Sequence, residues 1–166
     1  MKTLDLGCGI FPRNPFNAEE VYGIDIADIQ ETEYFKSVDL NINPIPYPDD
    51  YFDYVTAFDF LEHVPRIIYI DGKIRNSFIE VMNEIWRVLK PGGTFLACTP
   101  HSEYPDAAYS DPTHVNIITK NTVGYFTTNV EPLGRLYGFK GNFELVKQLQ
   151  HPQIKYWLVW ELKANK

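Results

Sequence analysis

Cysteine is scarce: the 166 residues hold only Cys8 and Cys98, with no CxxC pair and no Cys/His spacing of the zinc type. That excludes a disulfide scaffold and a zinc module, and both residues read as reduced, structural thiols at strand ends of a buried sheet. Apolar runs of membrane length are missing, and Met1-Lys2-Thr3-Leu4-Asp5-Leu6 passes straight into a glycine turn without a charged segment and apolar leader. No membrane association is expected, and the cytoplasm is the expected location. Positive charge is in deficit. Fifteen Lys and Arg face 22 Asp and Glu, a formal charge of −7, so the phosphate attraction behind most nucleic-acid binding is lacking and no nucleic-acid partner is expected. Internal repeats, linkers and low-complexity tracts are also absent, which leaves residues 1–166 as a single domain.

What is present suits a globular core: 45% hydrophobic, 15% aromatic and 22% charged residues. At this length folding buries roughly 68–70% of the unfolded surface. Residues 2–6 read as a strand that ends in Gly7-Cys8-Gly9, where the backbone turns tightly or admits a ligand. Val21 to Asp25 forms a second short run ending in an acid. Between them Pro12 and Pro15 break the segment, so the first crossover is expected to be a loop or a single turn rather than a helix. A third strand is expected at Ser37–Leu40 and a fourth at Tyr51–Phe58, aromatic and β-branched as a strand covered on both faces requires. Ile74, Phe78, Val81, Met82, Ile85 and Leu89 recur at helical spacing up to Pro91-Gly92-Gly93, which predicts an amphipathic helix with a strong stop. Thr94–Thr99 predicts a fifth strand. Residues 100–118 form a loop long enough to carry function, Thr119–Asn129 reads as a helix capped by Thr119, and Phe143–Leu149 with Ile154–Leu162 predicts an antiparallel hairpin around His151-Pro152-Gln153. The sum is an α/β class: a Rossmann-like, open, mostly parallel sheet with a closing C-terminal antiparallel hairpin, ligands sitting at the carboxyl ends of the strands.

The spacing of Leu4-Asp5-Leu6-Gly7-Cys8-Gly9 and Val21-Tyr22-Gly23-Ile24-Asp25 puts a glycine turn after the first strand and an acid after the second, placed to accept both ribose hydroxyls of an adenosine cofactor. Asp39 follows the third strand, Asp53 lies in the fourth, and Leu89-Lys90-Pro91-Gly92-Gly93 precedes the fifth. Together these motifs resemble the class I S-adenosylmethionine-dependent methyltransferases, in particular the methyltransferase type 11 group, over roughly residues 2–118. Pro46-Tyr47-Pro48-Asp49-Asp50-Tyr51-Phe52-Asp53-Tyr54-Val55 is similar to that family's loop into its fourth strand.

The resemblance implies S-adenosyl-L-methionine as cofactor. It implies that Asp5 and the turn of Gly7, Cys8 and Gly9 surround the methionine end, that Asp25 binds the ribose and that Ile26 packs on the adenine. It further implies that Asp39 accepts from the adenine amino group, with Leu40 nearby and Phe58 at the mouth of the methionine pocket. The alternative for Asp25 and Asp39 is that each caps backbone amides at a strand end. Two departures stand out. Phe11 occupies the place of the family's third glycine, and the family's helices before the first strand, which often cover the active site, have no counterpart ahead of Lys2. A homo-oligomer in which a second subunit supplies the cover is one expectation from this.

Methyl transfer from a sulfonium needs the acceptor positioned and, for a hydroxyl, its proton removed. His63 and His114 are the candidates for that work. Asp59, Glu62 and His63 share one face of a helix if Asp59-Phe60-Leu61-Glu62-His63 is helical. The set resembles the carboxylate, carboxylate and histidine associated with a divalent cation in ubiquinone-pathway O-methyltransferases, Asp59 replacing their first glutamate. Mg or Mn would suit those ligands; the alternative is that Asp59-x-x-Glu62 opens a helix as a capping box. His114 stands in Ser110-Asp111-Pro112-Thr113-His114, similar to a stretch that relatives present beside the acceptor, and an imidazole titrates near ~6.5, right for a base at neutral pH. The bland alternative is a loop histidine fixing a turn. No Asn/Asp-Pro-Pro-Tyr segment follows the fourth strand, which argues against amine acceptors on nucleobases. The expectation is therefore O-methylation of a small hydroxylated metabolite. A cofactor-binding pseudoenzyme or subunit of a larger assembly is the second reading, and a dinucleotide-dependent dehydrogenase, which lacks the full GxGxxG spacing, the third.

Overall fold

A computed structural model describes residues 1–28, 30–127 and 131–166. Seven strands form one sheet in the order β3-β2-β1-β4-β7-β9-β8. These are β1 (Lys2–Leu6), β2 (Glu20–Asp25), β3 (Phe35–Ser37), β4 (Phe52–Phe58), β7 (Leu89–Pro100), β8 (Phe143–Gln150) and β9 (Trp157–Ala164). Pairing is parallel from β3 through β7 and antiparallel at β7–β9 and β8–β9, so the α/β sheet with its antiparallel C-terminal hairpin is as the sequence implies. A separate hairpin, β5 (Ile68–Ile70) with β6 (Lys73–Arg75), stands on the connection after β4. No helix among the described residues is long and apolar enough to cross a membrane.

The register explains the core. Leu4 lies beside Tyr22 and Val55, Val55 beside Phe95, and Phe95 beside Leu162. Because side chains alternate across a strand, these fully or almost fully buried residues share one face with Leu6, Ile24, Ala57, Ala97 and Trp160. That face receives helix α1 (Ser77–Val88), which brings Val81, Met82, Ile85 and Val88 into the same cluster. Burying each such side chain stabilises the fold by about 1.5–3 kcal/mol. Beside α1, Phe78, Phe126, Phe139 and Phe143 continue the packing as a chain of aromatic contacts. On the opposite face Asp5 pairs in register with Gly23 and Thr56. There the loop from Gly7 to Ala18 is the cover. Gly23 is required by it, since a Cβ would stand 2.6 Å from both the Cys8 sulfur and Pro12. The first crossover is thus a helix-free loop, as its prolines dictate.

Several elements differ from the sequence reading. β3 ends at Ser37 and not Leu40, because the Asp39 carboxylate accepts from Asn41 N–H (2.9 Å) and turns the chain. Helix α1 begins at Ser77, so Ile74 belongs to β6 and is exposed. It ends at Val88, with Leu89 already extended, because the residue before Pro91 is barred from helical backbone and the chain is committed to β7. Pro91-Gly92-Gly93 then lies inside β7, at a register shift opposite Phe52 and Tyr54. The helix expected over 119–129 is only a 3-10 turn at Thr122–Tyr125 with Asn121 at its cap, since Thr119 and Thr122 bond to each other instead; residues 128–130 lie outside the described residues. The long loop after β7 holds one short helix, α2 (Pro105–Tyr109).

Candidate functional site

Parallel strands leave their carboxyl ends on one side of the sheet, and the chain turns there after β1, β2, β3 and β4. Those turns line a cavity of about 300 Å³ formed by Gly7, Asp25, Ile26, Asp39, Leu40, Asn41, Asp59, Phe60, His63 and Val64 among others. Of the residues the sequence singled out, Gly7, Asp25, Ile26, Asp39, Leu40 and His63 are brought together here. Asp5, Cys8, Gly9, Phe58 and His114 are not among the lining residues.

Each of these five has a definite place. Asp5 is 1% exposed, accepts Arg13 N–H (2.8 Å) and the Thr56 hydroxyl (2.6 Å), and so latches the loop after the turn to the sheet; burial raises its pKa. Gly9 N–H donates to Asp25 Oδ2 (2.8 Å), tying the glycine turn to the end of β2. Cys8 is a free thiol whose pKa burial pushes up to about 12, and burial likewise pushes Cys98 up to about 11. Both are poor nucleophiles, in keeping with a structural role. Phe58 lies under the Arg13 guanidinium, 4.8 Å from ring centre to Cζ.

Asp25 does cap amides, with Oδ1 accepting Ala27 N–H at 2.9 Å and Oδ2 accepting Gly9 N–H. Each oxygen retains a lone pair, so capping orients the carboxylate without exhausting it. Asp39 is engaged on one oxygen only, by Asn41 N–H. Gly7 sits at φ +65°, and a Cβ there would stand 2.9 Å from Phe60, part of the cavity wall. Ile26 presents an apolar side chain, 67% exposed, to the same cavity. Two carboxylates with spare acceptor capacity, an apolar platform and a close-approach glycine match the hydroxyls, exocyclic amine and flat ring of an adenosyl group. The residues fit S-adenosylmethionine.

On the cavity wall stands His63, with His114 outside the lining against it, ring centres 4.8 Å apart and edge to face. His63 belongs to a single 3-10 turn, Leu61–His63, with Phe60 and not Asp59 at its cap and no side-chain cap bond. The capping-box reading of Asp59-x-x-Glu62 therefore fails: Asp59 has φ +52°, in the left-handed region, and its carboxylate lines the cavity with its pKa raised by burial. Nor do Asp59, Glu62 and His63 form one face. The ligand-type atoms that come together are those of Glu62, His63 and His114, within 4.8 Å of one another. Opposed ligands of Mg lie about 4.2 Å apart at its 2.0–2.1 Å bonds, so this set has no obligation to hold a cation.

The hydrogen bonds fix the tautomers. Thr113 gives its hydroxyl proton to Asp111 Oδ1 (2.6 Å), so its Oγ1 and its carbonyl, 3.1 and 3.2 Å from His63 Nδ1, are both acceptors toward that ring. His63 Nδ1 therefore carries the hydrogen and Nε2 the free lone pair. His114 Nδ1 donates to Ala108 C=O (3.1 Å), with Nε2 3.8 Å from Asp111 Oδ2. Asp111 has its pKa lowered by the two Thr113 donors and stays ionised. Beneath the pair, Glu62 is 2% exposed. Its Oε2 accepts from Thr99 (2.9 Å), its Oε1 has no partner, and burial pushes its pKa up to about 7. Its backbone carbonyl receives Val115 and Asn116 N–H, both at 2.9 Å, docking the long loop onto the turn. Asp111 and Thr113 have no signal in the sequence beyond lying beside His114.

A glycine turn and two strand-end acids around one cavity, on a parallel sheet closed by an antiparallel hairpin, define a nucleoside-cofactor-binding α/β domain. Within that class, the methyltransferase domain family model matches residues 4–97. Squalene methyltransferase 1 of Botryococcus braunii is 30% identical over 167 residues, covering 84% of this chain and 40% of that protein. The demethylmenaquinone methyltransferase of Listeria welshimeri is 33% identical over 118 residues, 61% of this chain and 45% of that protein. The fold is shared with an S-adenosylmethionine-dependent methyltransferase from Mesorhizobium loti, TM-score 0.63 at 16% identity, over 98% of this chain and 90% of that one. The chain belongs to the methyltransferase domain family, within the class I S-adenosylmethionine-dependent methyltransferases. It spans less than half the length of the two curated relatives.

Proposed function

We propose that this chain catalyses S-adenosylmethionine-dependent methylation of a hydroxyl on a small metabolite, with His63 as the general base. The observation that carries the reading is the setting of His63: a ring on the cavity wall whose Nδ1 stands 3.1 Å from the Thr113 hydroxyl and 3.2 Å from its carbonyl, an arrangement that assigns the hydrogen to Nδ1 and the free lone pair to Nε2. When bound, the cofactor supplies a methyl group activated on a sulfonium. Asp25 accepts the ribose hydroxyls, Asp39 the adenine amine, Ile26 and Leu40 pack on the ring, and Gly7 lets the backbone approach. Asp5, Cys8 and Gly9 hold the turn from behind, and Phe58 with Arg13 closes its flank.

His63 Nε2 takes the acceptor hydroxyl's proton as the oxygen attacks. The resulting imidazolium keeps its Nδ1–H on Thr113, whose hydroxyl is held by the ionised Asp111, so the charge is stabilised along a carboxylate–hydroxyl–imidazole line. His114, pinned to Ala108, sets the His63 ring by edge-to-face contact and is a positioning residue. The two relatives are named for squalene and demethylmenaquinone, in line with a small-molecule acceptor.

The test is calorimetric titration with S-adenosylmethionine and S-adenosylhomocysteine, repeated with excess NAD, followed by an acceptor screen among hydroxylated metabolites with wild type and His63→Ala. Saturable binding indifferent to NAD and turnover lost in His63→Ala are expected. Binding without turnover on any acceptor would favour the pseudoenzyme, and displacement by NAD would sink the cofactor assignment.

A further inference from the structure

A second, larger cavity of about 460 Å³ opens beside the first. Its walls are Ile67, Phe78, Ile79, Tyr125, Phe126 and Tyr137. Three of these are unusually exposed for large apolar groups: Ile67 at 62%, Tyr137 at 55% and Tyr125 at 41%. The volume falls within the roughly 300–1,000 Å³ of small-molecule sites, and a concave apolar surface of this kind calls for an occupant.

Two features say which occupant. The first is position. Val64 lines the first cavity and Arg66 the second, at most about 7 Å apart along extended chain. On the other side Asn41 of the first cavity accepts the Ser77 hydroxyl (3.0 Å), and Ser77 stands between Asn76 and Phe78 of the second. The second cavity therefore starts where the wall of the first, with His63 on it, ends. The second feature is charge. No acidic side chain lines the cavity among the described residues, and its one cation, Arg66, turns its guanidinium to Asn116 Oδ1 (2.8 Å) and the Ile117 carbonyl. Asn76 is likewise engaged, by the Tyr137 carbonyl. Nothing there is built to receive an anionic head or a charged peptide.

We infer that this cavity is the tail subsite of the acceptor: it takes a neutral, apolar chain, alkyl or isoprenoid, attached to the hydroxyl-bearing group that His63 faces. The inference deepens the methyltransferase reading and rests on it. The chain lies along Ile67 and Phe78 and ends against Tyr125 and Tyr137, whose rings pack on each other with centres 6.2 Å apart and form the end wall. Such a subsite contributes affinity and sets which end of the acceptor meets the base.

The full chain is titrated with Nile red, a neutral fluorophore that brightens in apolar sites, and the bound dye is challenged with farnesol. S-adenosylhomocysteine affinity is measured in parallel on wild type, Ile67→Asp and Tyr137→Asp, two exposed positions where a carboxylate leaves the core untouched. Saturable dye binding displaced by farnesol is expected, weakened at least tenfold in each variant, with S-adenosylhomocysteine affinity unchanged within twofold. Normal S-adenosylhomocysteine binding with no farnesol-displaceable dye overturns the tail subsite and leaves the methyltransferase reading intact. Farnesol binding in a folded protein that takes no S-adenosylhomocysteine overturns the acceptor assignment along with that reading. Sedimentation showing a wild-type dimer that Ile67→Asp dissociates would also overturn it, the groove then being covered by a second copy. With an active acceptor in hand, the chain-bearing form should show at least tenfold lower KM than the bare ring, and equal KM values would refute the subsite.

Discussion

Replacing Glu62 by Gln should stabilise the protein, and by an amount that grows with pH. The wild-type carboxyl is 2% exposed, bonded on one oxygen and unpartnered on the other, and its pKa in the fold is about 7 against 4.5 for the free side chain. Raised in the fold, this acid binds more protons in the native than in the unfolded state between those values, so stability falls as pH rises through that window. The full cost above the window is about 3 kcal/mol, and linkage places about 2.5 kcal/mol of it between pH 5 and pH 8. Gln keeps the shape and the acceptor for Thr99 but has no charge to bury. Urea denaturation of both proteins at pH 5, 6, 7 and 8 gives the comparison. Their stabilities should lie close at pH 5 and separate by about 2–3 kcal/mol by pH 8, the variant the more stable. Because the other titrating groups are common to both chains, the difference reports Glu62 together with its coupling to His63 and His114, which stand within 4.8 Å of it. Parallel curves would show that Glu62 is not the buried, proton-holding group described here.

Asp25→Ala should weaken S-adenosylhomocysteine binding about 10- to 150-fold, from charged hydrogen bonds of roughly 1.5–3 kcal/mol; an unchanged dissociation constant in a folded variant removes Asp25 from the site. His63→Ala should lower kcat by about 10²- to 10⁴-fold with cofactor affinity intact, as single-turnover rates would reveal. Thr113→Val, which deletes one of the two acceptors for Nδ1–H and the link to Asp111, should cost about tenfold in kcat with little change in KM and shift the acidic limb of the pH profile; a pure KM effect would make Thr113 merely structural. Exhaustive chelation with EDTA should leave both binding and turnover unchanged, and recovery of activity on Mg addition would reinstate a cation at the histidines.

The cofactor half of the site was legible because it is local. Gly7 and Asp25 are strand-end residues, and strand ends can be read from where apolar alternation meets glycine or an acid. The first crossover, proline-broken at Pro12 and Pro15, was equally readable. The acceptor half was not, because His63 meets Thr113 only after a loop fifty residues downstream folds back onto the turn. The Asp59-x-x-Glu62 spacing misled for a related reason: the pattern presumes a helix, whereas the chain makes a single 3-10 turn at Leu61–His63 with Asp59, two residues before it, at positive φ. Ile74 fitted the period of α1 and was claimed by a hairpin, whose tight turn at Asp71-Gly72, both at positive φ, pairs Ile74 with Tyr69 and leaves the helix to start at Ser77.

The place of β1 in the sheet governs how the molecule reaches its fold. Thr3 has Val21 on one side and Tyr54 on the other, so this inner strand completes its ladder only when segments far apart in sequence meet. Closing a loop of that size costs about 3.5 kcal/mol of chain entropy before any constant term, and contacts at such separation place folding toward the slow end for domains of this size. A β1–β2 pair alone cannot persist in water. The glycine turn hangs from those two strands, so ligand competence arrives with the arrival of β4, and a nascent chain shorter than that presents two bare apolar edges to whatever surrounds it.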